Sequence, residues 1–541
     1  MSISTEAQTS QTDDAPPRPR SAARWRRIWL AAAIALAAVG MFFAYRRMAW
    51  AHPINADGAS NSLQAWDLWH GNPLMTGWTL SDVSFYTTEL VQYAIIQVFM
   101  GLNVEAIRVA AAVTYTLLVL VVAALAKGRA TGWDAAVRVG VAVAIMLVPA
   151  PGIGYMTLFS SPNHTGSGVP LVITWLVLDR ALSGPREPRK WLPVAIAVLL
   201  AWGEVGDPLV TFIGALPLVL VSAIRLVRAG VPWKQRWRGI DAQLLAAGAA
   251  SVVLAHGFLL LVRAAGGFHA PAPPISLAPI ADLGHRFSMV VQMIGAIYGA
   301  YRPGEHPPAA AVGLGLLHLF GIALVIVALV TVIIRGVRGT GDRVNEILVL
   351  GIGINLGAEL VSTLPVDILA AREIVAVLPL GAALAARVCA PRLRAWRLTP
   401  VLAGVLAIFT FALAVYSPPR SAPAENQDIA DWLVYRNLSY GLASYWNASN
   451  ITVTTERRVV VVPTAGGDRI APYCWQSRVD WYDPTTHDAR FIIFDRERSM
   501  YGTPEAAEKQ FGAPAETKDF GRHVVLVYTH NLLAQMPPPC P

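Results

Sequence analysis

Residues 50–86 read WAHPINADGASNSLQAWDLWHGNPLMTGWTLSDVSFY and lie between two apolar segments of membrane length. The stretch carries Asp57, Asp67 and Asp82, His52 and His70, and Trp50, Trp66, Trp69 and Trp78. Tryptophan favours the bilayer interface because its ring is apolar and its N–H polar. Acids and aromatics packed this densely mark a working surface at that interface. The plainer alternative is an amphipathic loop resting on the headgroups.

The composition agrees with a membrane setting. The 541 residues are 55% hydrophobic and 14% charged, with mean hydropathy +0.47. A soluble domain carries about a quarter charged residues, so the sequence predicts a polytopic membrane protein. The net charge of +8 resides largely in arginines of short loops, the pattern of cytoplasmic loops. No basic run with interleaved aromatics offers a groove for DNA or RNA. The preference for Arg over Lys, with much Ala and Val, points to a GC-rich bacterial genome.

Outward from the opening stretch, residues 1–27 form a polar cytoplasmic tail. Arg24, Arg26 and Arg27 precede the first apolar run, 28–45. A cleaved signal peptide ending near AWA is one reading. Arg46 and Arg47 after the apolar core favour a retained signal-anchor. Residues 87–100 are apolar but short, which suits an interfacial helix. Further spans are expected at 104–126, 137–148 and 169–178. Next come 191–202 and 209–224, joined by the polar break GEVGDP with Glu204 and Asp207. Such a break at membrane depth must line protein or water. The remaining spans are 244–262, 309–334, 347–364, 368–386 and 400–416, with a second interfacial helix at 287–298. Basic clusters follow alternate spans, including Arg180, Arg186, Arg189 and Lys190 after the fourth. The fold class is thus an all-α polytopic protein of about eleven transmembrane helices, its N-terminus cytoplasmic and its C-terminus outside the plasma membrane.

From residue 417 the composition changes. A Pro-rich linker, 417–425, precedes a helix start at 428–435 and three strand-like runs. These are VVVVPT (459–464), FIIF (491–494) and HVVLVY (523–528). Residues 417–541 therefore read as a small extracytoplasmic α/β domain, attached to a membrane domain over 28–416. Of the three cysteines, Cys389 sits among cytoplasmic arginines. Cys474 and Cys540 share the outer domain and either pair or remain free thiols.

No phosphate-cradling glycine motif, HExxH, CxxC pair or GxSxG elbow occurs in a fitting context. Arg372, in AREIVAVLP, stands at the outer end of the tenth span and breaks the inside-positive pattern. It faces a protein cavity or an anion, or else snorkels to headgroups or pairs with Glu373 or Asp367.

In this layout the chain resembles the GT-C superfamily of membrane glycosyltransferases. Members combine many spans, a large first outer loop with an acidic residue, interfacial helices and often a C-terminal extracytoplasmic domain. Asp57, in NADG, stands where the superfamily places its catalytic acid. Arg372 in AREIVAVLP resembles its late R-Y-x-x-P-x-x-P element, with Glu373 in place of the tyrosine. Gly58 stands where many members have a second acid. The segments YGLASYWNASNITV and SRVDWY look like the tails of actinobacterial proteins grouped with these enzymes.

The resemblance implies a polyprenyl-phosphate-linked sugar as donor and a cell-envelope glycan, lipid or protein as acceptor. It implies inverting transfer with Asp57 as general base and Arg372 facing the departing phosphate. Asp82, His164, Glu204 and Asp207 are secondary candidates for acceptor binding or for a divalent ion such as Mg²⁺ or Mn²⁺, although no ligand spacing demands one. Each has a structural alternative. Asp57 suits a turn, and Asp82 an N-cap of a helix starting near Val83. His164 suits a loop histidine bonded to backbone, and Glu204 and Asp207 solvate the helix break. A transporter or lipid flippase is the alternative function, and a non-catalytic protein binding wall polymers the third.

Overall fold

The computed structural model describes residues 20–160, 163–183, 189–272, 275–300, 309–418 and 420–538. The tail before residue 20, Arg186, residues 301–308 and Cys540 lie outside them; Cys389 is a buried free thiol.

The membrane part is helical apart from one short strand in the first loop. It comprises α1 (Arg20–Met48), α2 (Ala56–Trp69), α3 (Glu89–Met100), α4 (Val104–Lys127), α5 (Gly132–Met146), α6 (Ile153–Phe159), α7 (Gly168–Leu182), α8 (Leu192–Gly206) and α9 (Leu216–Arg228). These are followed by α10 (Trp233–Arg236), α11 (Ile240–Ala264), α12 (Leu283–Tyr298), α13 (Ala309–Val337), α14 (Arg343–Val361), α15 (Val377–Ala395) and α16 (Thr399–Val415). Among the described residues, six helices are long and apolar enough to cross a membrane. A seventh joins them if the 3₁₀ turn Ile368–Ile374 and α15, bent by 56°, count as one span. The chain is a multi-pass membrane protein.

Four details differ from the sequence expectations. Residues 50–86 are not a loop lying on headgroups, since they contain α2, buried along most of its length. NADG is not a turn: Asn55 caps α2, accepting the Gly58 N–H at 2.8 Å, and Asp57 sits in the first helical turn. No helix starts at Val83, so Asp82 is not an N-cap; α3 begins at Glu89. The 191–224 hairpin breaks later than its polarity suggests. α8 continues to Gly206, and the return, helical from Leu209, passes through a π-helical turn, Thr211–Ala215, before α9.

The C-terminal region holds α17 (Gln427–Tyr435), α18 (Tyr445–Thr454) and α19 (Pro504–Phe511). Its strands are β2 (Tyr440–Ser444), β3 (Val460–Ala465), β4 (Ala471–Pro472), β6 (Phe491–Asp495), β7 (Glu516–Phe520) and β8 (His523–Val527), in the order β4-β3-β2-β6-β8-β7. β2 is parallel to β3 and β6, and the other pairs are antiparallel. Both faces of the sheet are covered. Leu442, Val462, Ile492 and Leu526 pack toward Phe511 of α19, while Ala443, Val461, Ile493 and Val525 pack toward Ile429 and Leu433 of α17 and Ile451 of α18. Burial on both faces explains why β3, β6 and β8 are unbroken apolar runs rather than alternating ones, while the edge strand β7 is polar and exposed along its middle.

Two contacts fasten this region to the first loop. α18 packs on α2, where Ser60 and Ser449 hydroxyls lie 2.8 Å apart. A two-stranded antiparallel ladder joins β1 (Trp78–Thr79) to β5 (Ser477–Arg478). Beside it Asp67 accepts the Trp78 indole N–H at 2.8 Å and the Arg478 guanidinium. Trp78 is 2% exposed, so its donor has no water to fall back on. Asp67→Ala is expected to cost about 1–3 kcal/mol, the penalty of stranding buried donors, and to lower the thermal unfolding midpoint in detergent. An unchanged midpoint would remove this ladder from the contacts that hold the two parts together.

Candidate active site

The site is assembled at one end of the bundle, where α1 and α8 finish and α7 and α15 begin. Its residues sit where regular structure stops, because helix ends leave side chains and backbone groups free to converge. Asp57 opens α2. Arg372 and Glu373 occupy the 3₁₀ turn before α15, which Asp367 caps by accepting the Leu369 N–H at 2.7 Å. Asp207 closes α8 and accepts the Leu209 N–H at 2.9 Å. His164 lies in the loop before α7 with φ +56°, a left-handed conformation uncommon for a side-chain-bearing residue. The next turn is held by Glu89, whose carboxylate accepts the Gly166 N–H at 2.9 Å.

A chain of charge runs through these groups. The Tyr445 hydroxyl of α18 donates to Asp57 Oδ1, and Arg372 Nη1 stands 3.5 Å from Asp57 Oδ2. Arg372 Nε is 3.2 Å from Glu373 Oε1. Glu373 Oε2 lies 2.9 Å from His164 Nε2, and His164 Nδ1 lies 2.8 Å from Asp207 Oδ2. Ser167 donates to the same Asp207 oxygen at 2.5 Å.

Both ring nitrogens of His164 meet carboxylates, which requires two N–H donors and hence the imidazolium. Burial opposes that charge, but Asp207 and Glu373 outweigh it and hold the ring's pKa well above its ordinary 6.5. Burial, reinforced by Glu373, pushes the Asp82 carboxyl above the usual carboxylate range against the pull of His164 and Arg372. Burial and then the Asp57 carboxylate raise the Tyr445 phenol well above 10, so its hydroxyl stays a donor.

Two cavities meet at Asp57 and Arg372. One, with about 840 Å³ of space open to solvent, lies beneath the C-terminal region and includes Asp82, His164, Glu373 and the aromatic rings of that region. The other, about 1280 Å³, is bordered by His52, Ile54, Met156, Leu369 and Arg498. Asp57, Arg372, Asn163 and Trp446 belong to both.

Of the residues singled out in the sequence, Asp57, Asp82, His164 and Arg372 line one cavity, and Asp207 touches it through His164. Glu204 does not join them; it lies within α8 and accepts the Ser251 hydroxyl of α11 at 2.9 Å. The sequence offered Glu373 only as a partner of Arg372, and it gave no role to Tyr445 or the rings around it. A signal was present, since Tyr445, Trp446, Tyr473, Trp475 and Tyr501 are aromatics that the strand pattern leaves unused. For a divalent ion, no group of three or more His, Cys, Asp or Glu side chains among the described residues has a metal-holding arrangement. The carboxylates here are balanced by Arg372 and His164 instead.

No protein-family model matches the chain, and no curated protein sequence matches it. Two crystal structures of ArnT from Cupriavidus metallidurans overlay on it loosely. The apo form gives a TM-score of 0.44 at 13% identity, covering 96% of this chain and 100% of that one. The form bound to undecaprenyl phosphate gives 0.45 at 14% identity with the same coverage.

The imidazolium of His164 makes a pH prediction. Its folded pKa exceeds 6.5, so its stabilising contribution is complete below the unfolded value and is lost as pH rises through the folded one. The thermal midpoint of the wild type should therefore fall as pH is raised above 6.5 toward the elevated folded value. His164→Gln should start lower and lack that share of the decline. Parallel pH profiles for the two proteins would show that His164 is uncharged in the fold.

Proposed function

We propose that the chain is an integral membrane glycosyltransferase that moves a sugar from a polyprenyl-phosphate donor to a cell-envelope acceptor, outside the plasma membrane and with inversion. One observation carries the reading: a single carboxylate, Asp57, forms the common wall of two cavities beside a guanidinium. Transfer needs two substrates to meet at one base and one phosphate-binding cation, and this wall supplies both.

The acceptor hydroxyl attacks the anomeric carbon of the donor while its proton passes to Asp57. The bond between that carbon and the phosphate oxygen breaks, and the electron pair leaves with the polyprenyl phosphate. Arg372 pairs with the charge that grows on the phosphate. Its 3.5 Å contact with Asp57 is long, so the guanidinium can turn toward phosphate without breaking a close ion pair. Tyr445 keeps one Asp57 oxygen fixed and leaves the other for the incoming proton. A single displacement with a carboxylate base inverts the anomeric centre.

The chain alternates across the membrane with its basic loops on the opposite side, which supports a cytoplasmic N-terminus and a C-terminal region outside. Asp207 supports the site from behind through His164, while His164 and Glu373 themselves line the cavity beneath the C-terminal region.

The test is release of polyprenyl phosphate from radiolabelled polyprenyl-phosphate sugars by the purified full-length protein in nanodiscs. Asp57→Asn should lower turnover by about 100- to 10,000-fold, the usual worth of a general base, with donor binding retained. Arg372→Ala should lower it by about 100- to 1,000-fold, as loss of one transition-state charge partner does, and should also weaken donor binding. Wild-type turnover that survives Asp57→Asn would remove Asp57 from the base role. Absence of release with hexosyl and pentosyl donors alike, from folded protein, would sink the transferase reading.

A further inference from the structure

The two cavities at Asp57 differ in chemistry. The one bordered by Ile54, Met156 and Leu369 is partly aliphatic. The one beneath the C-terminal region has Val83 as its single aliphatic lining residue. Its remaining apolar surface is ring faces, Phe85 among them, interleaved with polar groups, a poorer seat for an alkyl chain than continuous aliphatic surface.

Its wall is aromatic instead. Tyr445 and Tyr473 ring centroids lie 5.5 Å apart, and Tyr473 and Tyr501 lie 5.8 Å apart at 90°. Trp446 sits 5.3 Å from Tyr445, and its indole N–H donates to the Tyr501 hydroxyl at 3.2 Å, closing the circuit of rings. Trp475 stands beside them on the cavity, half-buried. This circuit is not simply a small core. Trp446, Tyr473, Trp475 and Tyr501 all retain open surface where they line the cavity.

On the α2 side the lining turns to amides and acids. Asn61 is 1% exposed, lines the cavity, and its amide nitrogen has no hydrogen-bond partner. A buried amide donor left unpaired costs free energy unless a ligand or water accepts from it. Gln476, also buried, lines the same space beside Asp82.

Flat ring faces opposite amide and carboxyl groups match one ligand class. A sugar ring offers apolar C–H faces for stacking and a rim of hydroxyls for hydrogen bonding. We infer that this cavity binds a saccharide, and that the acceptor is accordingly a glycan rather than a lipid or a protein. The acceptor role rests on the transferase reading; saccharide binding itself does not. The arrangement places the acceptor hydroxyl on the Asp57 side of the wall, with the Asn61 amide N–H donating to a ring hydroxyl and Trp475 lying against a ring face.

The experiment is saturation-transfer-difference NMR on the full-length protein in nanodiscs, without donor. Trisaccharides of mannose, glucose, galactose and arabinose are each titrated to about 10 mM, which covers the weak affinities of isolated ligands. At least one should bind saturably. Trp475→Ala should weaken that binding about tenfold or more, as loss of a stacking face does. Asn61→Ala should weaken it severalfold, with an unchanged elution profile showing that the variant is folded. A short-chain phosphatidylcholine and a Ser/Thr-rich hexapeptide should not displace the sugar. Failure of all four trisaccharides, binding untouched by both variants, or displacement by lipid or peptide would overturn the inference. Sugar binding without donor turnover would instead overturn the transferase reading and leave the cavity's ligand class standing.

Discussion

A histidine ring clamped between two carboxylates is the contact on which the rest of the site depends. Asp207, His164 and Glu373 come from three separate places, the end of α8, the loop before α7 and the turn before α15. Charges so far from water are costly alone and are held by pairing. Neither carboxylate is comfortable without the ring, and the ring accepts a left-handed backbone to reach both. The loop has little room to adjust. A Cβ on Gly166 would lie 2.1 Å from the Glu89 carboxylate that holds its N–H. With Glu373 fixed from behind, Arg372 has a defined origin from which its guanidinium reaches Asp57.

This dependence shapes what could be read from sequence. The apolar runs are legible because burial in lipid or in a bundle needs continuous hydrophobic surface, and helix covers most of each, the tenth run being bent by 56° between the 3₁₀ turn and α15. Asp57 and Arg372 stood out by type and position, and they meet although 315 residues separate them. Glu373 was visible only as a neighbour of Arg372. Its value comes from His164, and no local pattern announces a contact between distant loops. α2 was hidden for a different reason. Its residues ADGASNSLQA have no apolar stripe, because the helix is buried by closeness rather than by greasiness. Small side chains let α18 approach, and the hydroxyls of Ser60 and Ser449 satisfy each other in the gap. Glu204 was misplaced because its polarity suggested a break, whereas Ser251 on α11 gives it a partner inside the helix pair.

The C-terminal region has two jobs that its sequence keeps separate. Three of the six strands of its sheet, β3, β6 and β8, are legible as apolar runs, whereas β2 with its Gly and Ala, the two-residue β4 and the polar β7 are not. The aromatics outside those runs form the roof of the cavity over Asp57. Tyr445 belongs to both, since it starts the helix that packs on α2 and donates to the Asp57 carboxylate. The membrane part thus supplies charge, and the C-terminal region supplies shape and the fixed orientation of the acid.

The contact between Asp57 and Tyr445 spans 388 residues. Synthesis runs from the N-terminus, so Asp57 enters the membrane system long before its hydroxyl partner exists. Loop closure over such a distance comes late in folding. A nascent chain therefore carries its acid without the group that aims it. Only a chain translated to the end and folded through its C-terminal region acquires the complete constellation.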